Sequence, residues 1–291
     1  MIIVPIGNLD PPIMIISKPT EEKILSVAKS LPVAPQIMAR LHKMLLDANS
    51  GLTEIAGLLK RDVALTTRII RIANSPAYNG GGLGTIEDAL QRVGFGEVFR
   101  LVGVVANASL AESNLRFYGY SGEAFRANNL CTALVSEGIA RRIGTDPRLA
   151  YTSGLLRGIG QLLLDRIARE GLGPSETFRE SGGGRLIEWE RGAFGTTHFE
   201  VARLVLTQWG FPDLVVKTVG FDHTLGDAPP PLVQTLHLAD SIVRLAGHGL
   251  DGEDAAWGVT HEDLVATGLT MDETVIIRNE AVAAMNALQA A

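Results

Sequence analysis

The sequence predicts an all-α protein, a multi-helix bundle built from two packed helical halves. Three observations predict it. Apolar residues recur at three- and four-residue spacing along most of the chain. Helix-start signals precede these runs at Asp62, Thr85, Asp146, Thr197, Thr260 and Thr270. Strand-like alternation is scarce, and no internal repeat is evident.

Taken in order, Pro35 can sit in the first turn of a helix carrying Ile37, Met38, Leu41, Met44 and Leu45. The run Thr53–Leu59 continues the period through Ile55, Leu58 and Leu59. Asp62 is a credible N-cap for a helix with Leu65, Ile69, Ile70 and Ala73, which stops at Asn74-Ser75-Pro76. A loop with Asn79 and Gly80 to Gly82 follows. Thr85-Ile86-Glu87-Asp88 resembles a capping box with Asp in place of Glu, opening a short helix that Gly94 can close. Val98–Leu110, almost wholly apolar, reads as a buried helix.

Ser113–Gly122 reads as the connection between the halves. A helix then runs from Phe125 to about Ile143, and Asp146-Pro147 pairs an N-cap with a first-turn proline, opening the run that leads to Leu162–Ile167. The glycine-rich 171–184 region is a loop. Thr197-His198-Phe199-Glu200 reads as a regular capping box before Val201, Leu204, Val205 and Trp209. Pro212 starts another helix, Pro229 to Pro231 precede one through Leu245, and Thr260 and Thr270 start the last two. The division is an extended N-terminal arm (1–23), an N-terminal helical subdomain (24–115) and a second helical subdomain with the C-terminal helices (116–291).

The chain has 291 residues, 46% hydrophobic and 20% charged, enough for a sizeable core and too apolar for disorder as its main state. The formal net charge of −6 argues against bulk nucleic-acid affinity, which needs a dense cationic surface. Residues 21–71 nevertheless hold eight basic and five acidic side chains, an ordinary balance for a solvated helical surface. A single cysteine, Cys131, excludes an internal disulfide and a Cys-based zinc site within one chain, and its apolar surroundings predict a buried thiol. No run approaches the roughly 18 uninterrupted apolar residues of a membrane span. The N-terminal run 1–16 lacks a basic start and is broken by prolines, so neither a signal peptide nor a helix is expected there. A cytoplasmic location is the expectation.

Chemistry-bearing patterns are sparse. His237 and Asp240 are three residues apart on one helix and could share a metal ion, with His198 and His223 at helix ends as further ligands. A histidine at a helix terminus more often caps or packs, and no His-x-x-x-His pair exists. There is no nucleophile elbow, and the glycine clusters lack the Lys-Ser/Thr ending of a phosphate loop.

The order of motifs resembles the HDOD domain, a bacterial signalling-output module related to HD-type phosphohydrolases. The resemblance is carried by Leu31-Pro32-Val33-Ala34-Pro35, Arg61-Asp62-Val63-Ala64-Leu65, Ala73-Asn74-Ser75-Pro76-Ala77-Tyr78, Thr85-Ile86-Glu87-Asp88-Ala89-Leu90 and Val93-Gly94-Phe95. It continues through Gly154-Leu155-Leu156-Arg157-Gly158-Ile159-Gly160-Gln161-Leu162, Thr197-His198-Phe199-Glu200-Val201-Ala202, Trp209-Gly210-Phe211-Pro212, Phe221-Asp222-His223 and His237-Leu238-Ala239-Asp240. HD hydrolases hold metal through an early His, a His-Asp dipeptide and a later Asp. At the matching positions stand Asn128, then Arg157-Gly158, with Asp240 retained; His198 and His223 resemble accessory histidines of the HD-GYP phosphodiesterases.

The resemblance therefore implies the scaffold without the reaction, with no catalytic residue, no metal and no cofactor. Arg157 turned inward would repel a dication by on the order of several kcal/mol at intermediate dielectric. Two readings of Arg157 remain open: a structural pair with Asp240 or Asp222, or an anion pocket beside Gly158 and Gly160 for a nucleotide or phosphate. Protein partners are expected, with Asn74, Tyr78 and Asn79 as candidate contacts or, more simply, a capped turn with an aromatic anchor. Relatives often carry receiver or cyclic-nucleotide domains that this length does not accommodate, so signal input is expected from a separate partner. The rival readings are a metal-dependent phosphohydrolase using His198, His223, His237 and Asp240, and a nucleic-acid regulator using the basic 21–71 helices.

Overall fold

A computed structural model describes residues 18–290, apart from 33, 47–50, 79, 111–113, 175, 222–228, 230 and 251–257. Residues 1–17 of the expected 1–23 arm, with Asn79, Asp222 and His223, thus lie outside the described residues, and Glu21 to Lys23 open a helix capped by Thr20 instead of extending the arm. Those described form fourteen α-helices, and the only β-type pairing among them is one isolated bridge, Leu115 with Tyr120.

The first five helices are α1 (Glu21–Lys29), α2 (Ala34–Leu46), α3 (Leu52–Leu59), α4 (Val63–Ala73) and α5 (Ile86–Leu110). Their starts follow local chemistry. Asp62 accepts from Leu65 N at 2.9 Å, as a cap should, and Thr85 and Asp88 exchange reciprocal bonds at 3.1 Å. Gly94, at φ 81°, breaks α5 at the residue expected to close a short helix. The two pieces stay stacked as one bent rod instead of separating. By length and composition α5 could cross a membrane, but half of that stretch is buried in the protein, packed on α2, α3 and α4.

The second set is α6 (Gly122–Ile143), α7 (Pro147–Leu156), α8 (Ile159–Ile167), α9 (Leu186–Phe194), α10 (His198–Trp209), α11 (Asp213–Val219), α12 (Pro231–Leu245), α13 (His261–Thr267) and α14 (Met271–Ala290). Ser121 caps α6 one turn before the expected start, Gly144 ends it in the left-handed region, and Asp146 caps α7. Thr197 accepts from Glu200 N at 3.3 Å, but the Glu200 carboxylate turns away to Thr196 Oγ1 and Lys18, so the expected capping box is only half formed. Helix α6 is the central strut: α7, α12 and α14 pack around it, while α10 packs on α8 and α11.

One apolar core runs from Ile24 to Leu288 through both sets of helices. At the junction, α5 meets α6 and α7. Gly103 is required there, because a Cβ would stand 2.6 Å from the Tyr151 ring. Tyr151 in turn donates to Arg100 O at 3.0 Å. His42 of α2 is buried against Phe99 and bonds Thr152 of α7 through Nε2 at 3.0 Å. Burial drives its pKa down to about 4. Cys131 is fully buried, as expected, and burial pushes its thiol up to about 11.

Candidate functional site

Helix α7 ends at Arg157, and α8 begins two residues later. This break delivers the guanidinium to the interior between α6 and α12. Gly158 permits it, since a Cβ there would stand 2.5 Å from the Phe125 ring. Gly154 lets α7 lie against α6, with a built Cβ only 2.7 Å from Ala133 backbone, and Gly160 lets α8 meet the start of α10.

Arg157 engages Asp240 and Asn128, with two hydrogen bonds and a close ion-pair approach. Its Nε lies 2.9 Å from Asp240 Oδ1, one terminal nitrogen donates to Asp240 Oδ2 at 3.0 Å, and the other to Asn128 Oδ1 at 2.7 Å. The carboxylate is held by one hydrogen bond to Oδ2, with Nε close to Oδ1 as an ion-pair contact that lacks hydrogen-bond geometry. Asn128, almost wholly buried, spends its amide hydrogens on His248 O at 2.8 Å, pinning the chain just beyond α12. An amide suits that position because it must accept from Arg157 and donate to a carbonyl at once.

Three expected site residues are thus brought together: Asn128 on α6, Arg157 after α7 and Asp240 on α12, with Gly158 as the space-giving neighbour. Of the two acids considered for Arg157, Asp240 is a partner, and Asp222 lies outside the described residues. The donor set does not fit a divalent cation: an ion between Asn128 and Asp240 would displace a guanidinium that already engages both oxygen sets, or sit against its charge.

His198 is engaged elsewhere. Its Nδ1 lies 2.7 Å from Glu190 Oε2, which also accepts from His198 N at 2.9 Å, while Tyr118 donates to Glu190 Oε1 at 2.7 Å. Burial, then the neighbouring Glu190, hold the Tyr118 hydroxyl well above its usual pKa. His237 lies 3.0 Å from Asp263 of α13 through Nδ1. Although burial opposes it, bonds from Thr260 and His237 keep Asp263 below the usual carboxylate range. Among the described residues no three His, Cys, Asp or Glu side chains converge on one point.

Sequence reasoning missed Glu190, fully buried and the hub of the His198 cluster. A signal existed: Leu186, Glu190 and Phe194 share one four-residue stripe, and all three are buried. Asp165 was also missed. Burial raises its pKa, and it accepts from Phe117 N and Arg169 Nε, both at 2.7 Å, tethering the 114–120 turn to α8.

Several polar groups of the 74–83 loop are engaged within the protein. Asn74 bonds Leu83 N and O, both at 2.9 Å, clamping the loop shut. Tyr78 donates to Glu97 at 2.5 Å, and burial with that carboxylate raises its pKa. Glu97 pairs with Arg100, which reaches Glu137 of α6 at 2.9 Å, so the loop is wired to the second set of helices.

A model of the HDOD domain matches residues 31–225, and the chain belongs to the HDOD domain family. Solved structures share the fold. An HDOD domain protein from Geobacter sulfurreducens superposes with TM-score 0.67 at 22% identity, covering 93% of this chain and 98% of its own. A protein from Marinobacter aquaeolei, named for signal transduction, gives 0.69 at 19% identity over 93% of this chain and 64% of its own. One from Shewanella amazonensis, named a phosphohydrolase, gives 0.60 at 22% identity over 91% and 94%. An uncharacterized protein of Treponema pallidum is 24% identical over 233 residues, 77% of this chain and 43% of its own length. The chain therefore spans less than half the length of that curated relative.

Proposed function

We propose that this chain is a non-catalytic, HDOD-type signal-transduction module that acts through protein–protein contact. The observation that carries the reading is the contact of Arg157 with Asp240 and Asn128. A permanent cation engages the two groups at positions where the HD resemblance puts metal ligands. The Asn128–His248 bond and the tight glycine contacts support it further, because they build the polar cluster as an internal brace between α6, α7 and α12. With no activated water to hold, the fold's remaining asset is its surface.

The second reading is a metal-dependent phosphohydrolase, favoured by the name of the Shewanella relative. His198 and His237 are each held by a carboxylate, an arrangement that in metal sites orients ligand histidines. Elemental analysis of the purified chain, with phosphate release from nucleotides and cyclic dinucleotides in manganese, separates the two. The expected result is substoichiometric metal and no turnover above a denatured control. Bound metal at one or more equivalents, together with turnover, would overturn the proposal.

A further inference from the structure

Helices α2 and α3 enclose a cleft of about 470 Å³, lined by Arg40, Met44, Glu54, Gly57, Leu58 and Arg61. Its chemistry is ordered. Met44 and Leu58 supply its apolar lining, and a Cβ at Gly57 would meet nothing within 4 Å, leaving open space beside that residue. Arg40 and Arg61, both exposed, contribute to that lining. Neither guanidinium makes a hydrogen bond or ion pair among the described residues, unlike those of Arg100, Arg142, Arg157 and Arg169, which are paired. Two residues beyond Arg61 stands Val63, 76% exposed, the most exposed large apolar side chain described.

We propose that this cleft docks an acidic segment of a partner protein. Carboxylates of the segment meet Arg40 and Arg61, and one apolar side chain between them lies over Met44, Leu58 and Gly57. The inference rests on the interaction role proposed above and names where and with what chemistry it is exercised. Two unpaired guanidinium groups lining one cleft with apolar Met44 and Leu58 are complementary to a segment that mixes acidic and apolar side chains, and guanidinium grips a carboxylate bidentately. Glu54 sharpens the choice. Its carboxylate accepts from Gly51 N at 3.4 Å and also lines the cleft, a like charge that disfavours a densely charged polyanion more than a segment mixing carboxylates with apolar side chains. A nucleic-acid backbone is therefore the poorer fit, despite the local excess of basic residues in 21–71.

The test pans a displayed library of random dodecapeptides on the immobilised full chain, then measures synthetic versions of the selected sequences by titration. The expected pool is enriched in Asp and Glu flanking Leu, Ile or Phe. Arg40→Glu combined with Arg61→Glu should weaken binding by about tenfold or more, and Lys217→Glu, on α11, should leave it unchanged. Gly57→Phe should also abolish binding by filling the cleft from a position that disturbs no neighbour, with circular dichroism verifying the fold. A pool without acidic bias, or peptides indifferent to both the Arg and Gly57 variants, would overturn the proposal. So would a short DNA duplex that binds more tightly than the peptides with the same Arg dependence. Metal-dependent turnover would sink the non-catalytic reading and leave a positive docking result standing; failed docking leaves that reading intact.

Discussion

Arg157 holds Asp240 through two nitrogens, 2.9 and 3.0 Å from the two carboxylate oxygens, across the seam between α7 and α12. Both side chains are only about one-sixth exposed, 16% and 15%. Such a pair braces the fold as long as both partners remain, and removing one strands the other.

Arg157→Met should therefore destabilise the chain by about 3 kcal/mol, leaving the Asp240 charge and Asn128 Oδ1 without their donor. Adding Asp240→Leu should recover much of that loss. Urea unfolding of the two variants checks it, and a double variant no more stable than the single one would contradict the brace.

Burial of Glu190 against Tyr118 and His198 makes it a costly polar position to truncate. Glu190→Ala should cost about 3 kcal/mol and Tyr118→Phe about 1 kcal/mol, the second losing one hydrogen bond to a charged acceptor. Thermal unfolding with the Glu190→Ala/Tyr118→Phe double variant should show losses that do not add.

His42 predicts an acid-side weakness. Its folded pKa of about 4 lies below the unfolded value of about 6.5. Between those values the unfolded chain binds the proton and the folded one does not. Stability is then lost as pH falls from about 6.5 toward 4, by about 2 kcal/mol at pH 5. Asp146 raises and Arg148 lowers that pKa, but burial outweighs both. The difference in unfolding free energy between the parent and His42→Leu should shrink or reverse between pH 7 and pH 5; a constant difference would contradict the assignment.

Two glycines should respond in opposite directions. A Cβ at Gly160 would stand 2.0 Å from His198 O, so Gly160→Ala should cost about 3 kcal/mol as α8 and α10 are forced apart. Gly57, inside α3 and facing open space, should gain about 0.5–1 kcal/mol on Gly57→Ala from helix propensity alone. Denaturation midpoints of the two single variants settle the comparison.

Local signals carried the sequence reading a long way. Asp62, Asp146, Thr260 and the Thr85–Asp88 box all cap helices where expected, because capping depends on residues within one turn. Gly94 was legible as a break, yet whether the halves of α5 part or stay stacked depends on the helices beneath them. The Thr197 box was half misread because Glu200 found Thr196 and Lys18, the latter 182 residues away in the chain.

What the sequence by itself determined is the all-α class, many of the helix starts and the buried thiol. These follow from residue identity and short-range spacing, which act before the chain is packed. Only the tertiary structure decided that Arg157 engages Asp240, that Asn128 ties it to His248, that Glu190 claims His198, and that Arg40 and Arg61 line one cleft. Each of those joins separate helices, and the free energy of a directed contact depends on distances that only the folded chain sets.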